Sequence, residues 1–162
     1  MKKFLLIAMS SLLLVSAAQA KPTGGSKSGT GPKGRVSGSS NVTSSASGYK
    51  ADASGTYTGK RGAKGSAQGT YQGNAYKGSG SGSATWSSPT GTTGSAQQQF
   101  QYKNGNYQGS SSATATGANG TTKSATTDTT YNKTSGGETT VETSGGKSKT
   151  VTLPPAGSQT QP

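Results

Sequence analysis

The chain has 162 residues, 27 of them Gly, with neither Cys nor His and with 16 Lys and Arg against 4 Asp and Glu, a net charge of +12. The missing Cys excludes disulfide staples, thiol chemistry and a lipid-bearing cysteine, and the missing His removes the commonest general base and metal ligand. Beyond residue 20 the large apolar residues, apart from seven Tyr, are Val36, Val42, Trp86, Phe100, Val141, Val151 and Leu153, which is too little for a two-layer core and falls in the compositional range of disordered chains.

Residues 1–20 have the form of a secretory signal peptide. Lys2 and Lys3 make the positive start, residues 4–15 the apolar stretch, and Ala18-Gln19-Ala20 a small-x-small cleavage site. The chain is therefore expected to be exported, with cleavage after Ala20, to the periplasm, the cell surface or the extracellular space. Cleavage leaves 14 basic residues against Asp52, Asp128, Glu138 and Glu142, a net of +10. That charge favours an anionic polymer or an envelope surface as partner, the plainer reading being that it maintains solubility. No second apolar run follows Val15, so no transmembrane helix is expected in the mature chain.

Residues 21–48 read as a basic Gly/Ser-rich disordered linker with Pro22 and Pro32. Residues 49–116 read as a Tyr/Gly polar β-repeat region: Gly55-Thr56-Tyr57-Thr58-Gly59 returns as Gly69-Thr70-Tyr71-Gln72-Gly73, each a short polar strand with one Tyr between glycine turns. Residues 117–153 read as a Thr-rich β-meander, with strands near 126–133, 138–143 and 147–153 and with Asn119-Gly120, Gly136-Gly137 and Gly145-Gly146 as two-residue turns. A two-residue turn at Gly145-Gly146 would set Glu142 opposite Lys149. Residues 154–162 form a Pro-rich polar tail. The fold class expected is thus a largely disordered, low-complexity chain with short antiparallel β-strands, as β-hairpin repeats and a C-terminal β-meander, and no conventional globular core.

Chemistry is sparse. A paired-carboxylate mechanism needs one acid desolvated, and little apolar material surrounds the four acids. Gly29-Thr30-Gly31-Pro32-Lys33-Gly34 fits a dinucleotide fingerprint but follows no apolar strand, and the two Ser-x-x-Lys matches at Ser47 and Ser144 lack companion motifs. No catalytic residue, metal site or cofactor is expected. What has physical content is Tyr beside Lys. On an extended strand adjacent residues point to opposite faces, so the ring can stack while the cation meets anions. The candidate polymer-contact residues are Tyr49, Lys50, Tyr57, Tyr71, Tyr76, Lys77, Tyr102, Lys103 and Tyr107.

The Gln/Asn/Gly punctuation of residues 68–75 resembles curli-type fibre subunits without reproducing the spacing of their repeat. The Thr-rich, Asn-Gly-punctuated stretch 117–152 resembles the short repeats of uncharacterised low-complexity secreted bacterial proteins, a resemblance that implies no activity. The expected function is non-enzymatic: a structural or adhesive component of the cell surface or matrix, acting through multivalent Tyr/Lys contacts and self-association. The alternative is a soluble periplasmic cationic binder of polyanions such as lipopolysaccharide, acidic polysaccharide or nucleic acid.

Overall fold

Read by parity, β4 (Lys64–Gly73) carries Gly65, Ala67, Gly69, Tyr71 and Gly73 on one face and Lys64, Ser66, Gln68, Thr70 and Gln72 on the other. Apolar side chains keep to that first face wherever a strand carries them in the computed structural model, which describes residues 25–31 and 33–157. Ten strands follow in chain order: β1 (Gly25–Gly31), β2 (Gly34–Ser45), β3 (Gly48–Gly59), β4, β5 (Lys77–Ser87), β6 (Thr93–Lys103), β7 (Asn106–Thr116), β8 (Thr122–Asn132), β9 (Gly136–Thr143) and β10 (Ser148–Leu153). Each pairs antiparallel with its sequence neighbour, giving one sheet in the order β1 to β10. The expected signal peptide and the end of the polar tail lie outside the described residues.

The expectation of a largely disordered chain is corrected by this sheet. Strands β1 and β2 occupy much of the stretch read as a linker, and β3 to β7 are regular strands of 10–12 residues. Composition points to disorder only where order requires a second layer to bury apolar surface. This sheet satisfies its backbone between neighbouring strands and covers its small apolar content within one face. The buried hydrophobic residues are Ala51 and Tyr71.

Directly paired residues share a face, so the registers sort the side chains. One face holds every aromatic and aliphatic side chain of the strands, and on the other no position of β2 to β10 is apolar. Across the aromatic face large and absent side chains alternate: Tyr71, Gly80, Phe100 and Gly109 form one row, and Tyr57, Gly65, Trp86 and Gly94 another. Strands lie about 4.8 Å apart, too close for rings on adjacent strands to recline side by side. Glycine supplies the room. A Cβ on Gly80 would meet the Phe100 ring at 2.7 Å, one on Gly78 would meet Tyr102 at 2.6 Å, and one on Gly94 would fall inside the Trp86 ring. The rings, so settled, stack in sequence: Tyr49 on Tyr71 (5.0 Å between centroids), Tyr71 on Phe100 (6.1 Å) and Phe100 on Tyr107 (6.1 Å).

The turns at one end of the sheet share a design. Gly59, Ser88, Gly117 and Thr143 each donate their N–H across a three-residue loop to Ala63, Thr92, Thr121 and Lys147, and each carbonyl accepts from a glycine three residues on. Those glycines, Gly62, Gly91, Gly120 and Gly146, have φ of +74° to +85°, the left-handed bulge that closes a three-residue hairpin. This corrects the two-residue turns expected at Asn119-Gly120 and Gly145-Gly146. The extra residue slips the last register by one, placing Glu142 opposite Ser148 and Val141 opposite Lys149. Gly136-Gly137, expected as a turn, begins β9. A two-residue turn of the expected kind is found instead at Asn104-Gly105, both with positive φ.

If reclining rings depend on bare glycines, Gly94→Ala must displace Trp86 and should destabilise the protein by about 1–3 kcal/mol. Gly29→Ala, whose Cβ would meet nothing within 4 Å, should stay within ~0.5 kcal/mol. Chemical denaturation of both variants checks the contrast; equal effects would remove the ring-over-glycine account.

Candidate functional site

The expected contact residues separate by face. Tyr49, Tyr57, Tyr71, Tyr102 and Tyr107 lie on the aromatic face, Lys50, Lys77 and Lys103 on the polar face, and Tyr76 in the β4–β5 turn, 74% exposed. Among these nine residues a partner on the polar face meets Lys and one on the aromatic face meets Tyr, although two other lysines, Lys123 opposite Ala115 and Lys149 opposite Val141, also stand on the aromatic face.

Tyr49, Tyr71, Tyr102 and Tyr107 are tied into the structure by stacking or hydrogen bonds. Tyr102 donates its hydroxyl to the Asn74 carbonyl, so the 2.6 Å bond between Tyr71 and Tyr102 has Tyr71 as donor. Asn74 is itself fixed, its Oδ1 accepting from the N–H groups of Tyr76 and Lys77 and its Nδ2 donating to the Ser47 carbonyl at 3.2 Å. Burial, followed by the hydroxyls of Tyr102 and Tyr49, pushes the Tyr71 pKa far above the usual tyrosine value, and burial raises that of Tyr107. These rings serve the fold first.

The polar face carries rows of hydroxyl and amide side chains running across the strands. Neighbours bond within a row, as at Ser37–Thr56 (2.7 Å), Ser66–Thr85 (2.9 Å) and Gln101–Gln108 (2.9 Å). Between rows lie two parallel grooves. One, of about 800 Å³, runs from β3 to β8 between the row of Thr70, Ser81, Gln99, Ser110 and Asp128 and the row of Lys50, Gln72, Ser79, Gln101, Gln108 and Thr130. Its floor is the main chain of Tyr71, Gly80, Phe100, Gly109 and Thr129. The second, of about 870 Å³, lies on the other side of the Lys50 to Gln108 row, with Lys77, Lys103 and Asn106 as its far wall. Lys77 and Lys103 are directly opposed across β5 and β6, and neither has an ion-pair partner among the described residues. Lys50 lies 3.5 Å from Asp52.

A second basic cluster was not recognised from sequence. The β2–β3 and β3–β4 registers set Arg35 and Lys64 on either side of Thr58. The Lys60 N–H and the Tyr57 hydroxyl both donate to the Lys33 carbonyl, bringing Lys33, Lys60 and Arg61 to the same corner. All five cations are exposed and no carboxylate stands among them. The signal available in the sequence was two short basic clusters, which only strand pairing joins.

Glu138 and Glu142 share the polar face of β9, both exposed. Among the described residues no three His, Cys, Asp or Glu side chains gather into a metal site, and no helix is long and apolar enough to cross a membrane. No protein-family model matches the chain, and neither does any curated protein or solved structure.

Because the neutral phenols are favoured in the folded state, the Tyr71 and Tyr107 contribution to stability is complete below about pH 10 and is lost as pH rises further. An absorbance titration of tyrosinate should show part of the tyrosine signal appearing only with alkaline unfolding. Full ionisation of all seven before any loss of β signal would contradict it.

Proposed function

We propose that this protein is a non-enzymatic structural or adhesive component of the cell surface or extracellular matrix, exported by its leader and acting through multivalent contact. The observation that carries the reading is a single-layer sheet whose aromatic face has no covering layer among the described residues. Val36, Tyr57, Val141 and Val151 are between 37% and 54% exposed. Ten strands at about 4.8 Å spacing, with about 3.3 Å per residue, give each face on the order of 1,400 Å², against the ~800 Å² per partner of a stable interface. Two edge strands add unpaired backbone, although β10 is six residues long and runs into Pro154-Pro155, a device that limits edge pairing. Large faces, two open edges and few chemically reactive groups suit a protein that holds surfaces together.

The five-cation corner favours a second reading, a soluble periplasmic binder of polyanions acting mainly through charge. Such binding weakens steeply as salt rises, whereas association through an apolar face does not.

Sedimentation of the purified protein over a wide concentration range, at low and physiological salt, tests the first reading. Salt-insensitive assemblies are expected, and the quadruple variant Val36→Ser, Tyr57→Ser, Val141→Ser, Val151→Ser should stay monomeric. A native protein that remains monomeric throughout would reject it.

A further inference from the structure

We propose that the paired grooves of the polar face bind an acidic polysaccharide lying across the strands, and this rests on the reading of the chain as a multivalent contact protein rather than a catalyst. The grooves are linear and run perpendicular to the strands. The one that spans β3 to β8 extends roughly 24 Å at ordinary strand spacing, so it fits an extended chain rather than a compact ligand. Its walls are hydroxyls and carboxamides, groups that both donate and accept, as a ligand dense in hydroxyls requires. The shared wall begins with Lys50, and the neighbouring groove is bounded by Lys77 and Lys103.

That lysine pair is informative. Like charges directly opposite on a sheet are destabilising, and here no carboxylate among the described residues offsets them. An anionic group held between the two ammonium groups would relieve the repulsion. Carboxylates are not absent from this face: Asp52 pairs with Lys50, Asp128 lies in the wall at the β8 end, and Glu138 stands opposite Thr130. The positive charge is thus concentrated toward β3, β5 and β6, which sets the end of the grooves where anionic substituents would sit.

Nucleic acid fits less well. Single strands are held by bases stacking on aromatic rings, and every ring of the strands is on the opposite face, leaving main chain as the floor. A polymer that needs hydrogen bonds and scattered anionic contacts, but no stacking platform, matches what the grooves present.

The test titrates the purified protein with alginate oligomers, using poly-uridylate and neutral dextran for comparison. Alginate should bind more tightly than either. Ser79→Trp with Gln101→Trp fills the shared wall without changing net charge and should weaken alginate binding at least ~10-fold, while Thr85→Trp with Ser95→Trp, an opposed pair on the same strands and face outside both grooves, should leave it unchanged. Should the first variant lose its β circular dichroism, the charge variant Lys50→Gln, Lys77→Gln, Lys103→Gln decides, with a loss of about tenfold expected from three exposed ion contacts. Native-like binding by the groove variant, an equal loss in the control pair, an unaffected charge variant where that one decides, or tighter binding of poly-uridylate would each overturn the inference. Assemblies that form without alginate binding would sink the groove alone, whereas alginate binding by a strictly monomeric protein would keep the groove and sink the adhesive reading.

Discussion

The structure depends on one steric arrangement, an aromatic ring reclining over a glycine on the next strand. A sheet without a second layer has nothing above it to bury its side chains against, so whatever desolvation it achieves must come from side chains lying along the face. Trp86 over Gly94 and Phe100 over Gly80 do this, and the successive stacking of Tyr49, Tyr71, Phe100 and Tyr107 links five strands into one cover. Glycine ordinarily weakens a strand. Here its missing Cβ is the space in which the neighbour's ring lies, as in the known rescue of strand glycines by cross-strand aromatics.

Concentrating all rings on one face leaves the other free of structural duty. Its Ser, Thr, Gln and Asn side chains bond to neighbours across the strands, and their regular rows create linear grooves as a consequence of strand spacing rather than of any special loop. Charge is distributed on that face with a gradient. Lys50, Lys77, Lys103, Arg35 and Lys64 stand on β2 to β6, while Asp128, Glu138 and Glu142 stand on β8 and β9. The two faces thus differ in the kind of contact they can make, largely apolar on one, where Lys123 and Lys149 are the charged residues of β2 to β10, and polar and salt-sensitive on the other.

Much of this was legible locally and misjudged globally. The alternation of small or aromatic with hydroxylic residues is visible in residues 64–73 as plainly as in 93–103. Strand chemistry in 117–153 was readable from its β-branched residues, and the opposite orientation of Tyr49 and Lys50 followed from the period of two. The error lay in treating scarcity of aliphatic residues as scarcity of order. Counting apolar side chains misses glycine's role as a receptor for rings, and it led to a linker being read where β1 and β2 stand. The grooves were not legible, because Gln72, Ser79, Gln101 and Gln108 are isolated polar residues until pairing aligns them.

By itself the sequence determined the facing of every strand residue, since side-chain direction alternates with position and needs no partner. It determined also the absence of Cys and His chemistry and, within residues 117–153, the location of the turns to within a residue or two through Gly and Asn, whereas Gly55 and Gly69, expected as turns, lie inside β3 and β4. Only the tertiary structure decided the register. A three-residue bulge at Gly146 in place of a two-residue turn separates Glu142 from Lys149, and successive pairings of that kind bring Lys77 opposite Lys103 and Arg35 near Lys64. The physical reason is range: facing is a property of one chain segment, whereas a row, a groove or a charge cluster exists only between segments, and its members are chosen by the turn that joins them.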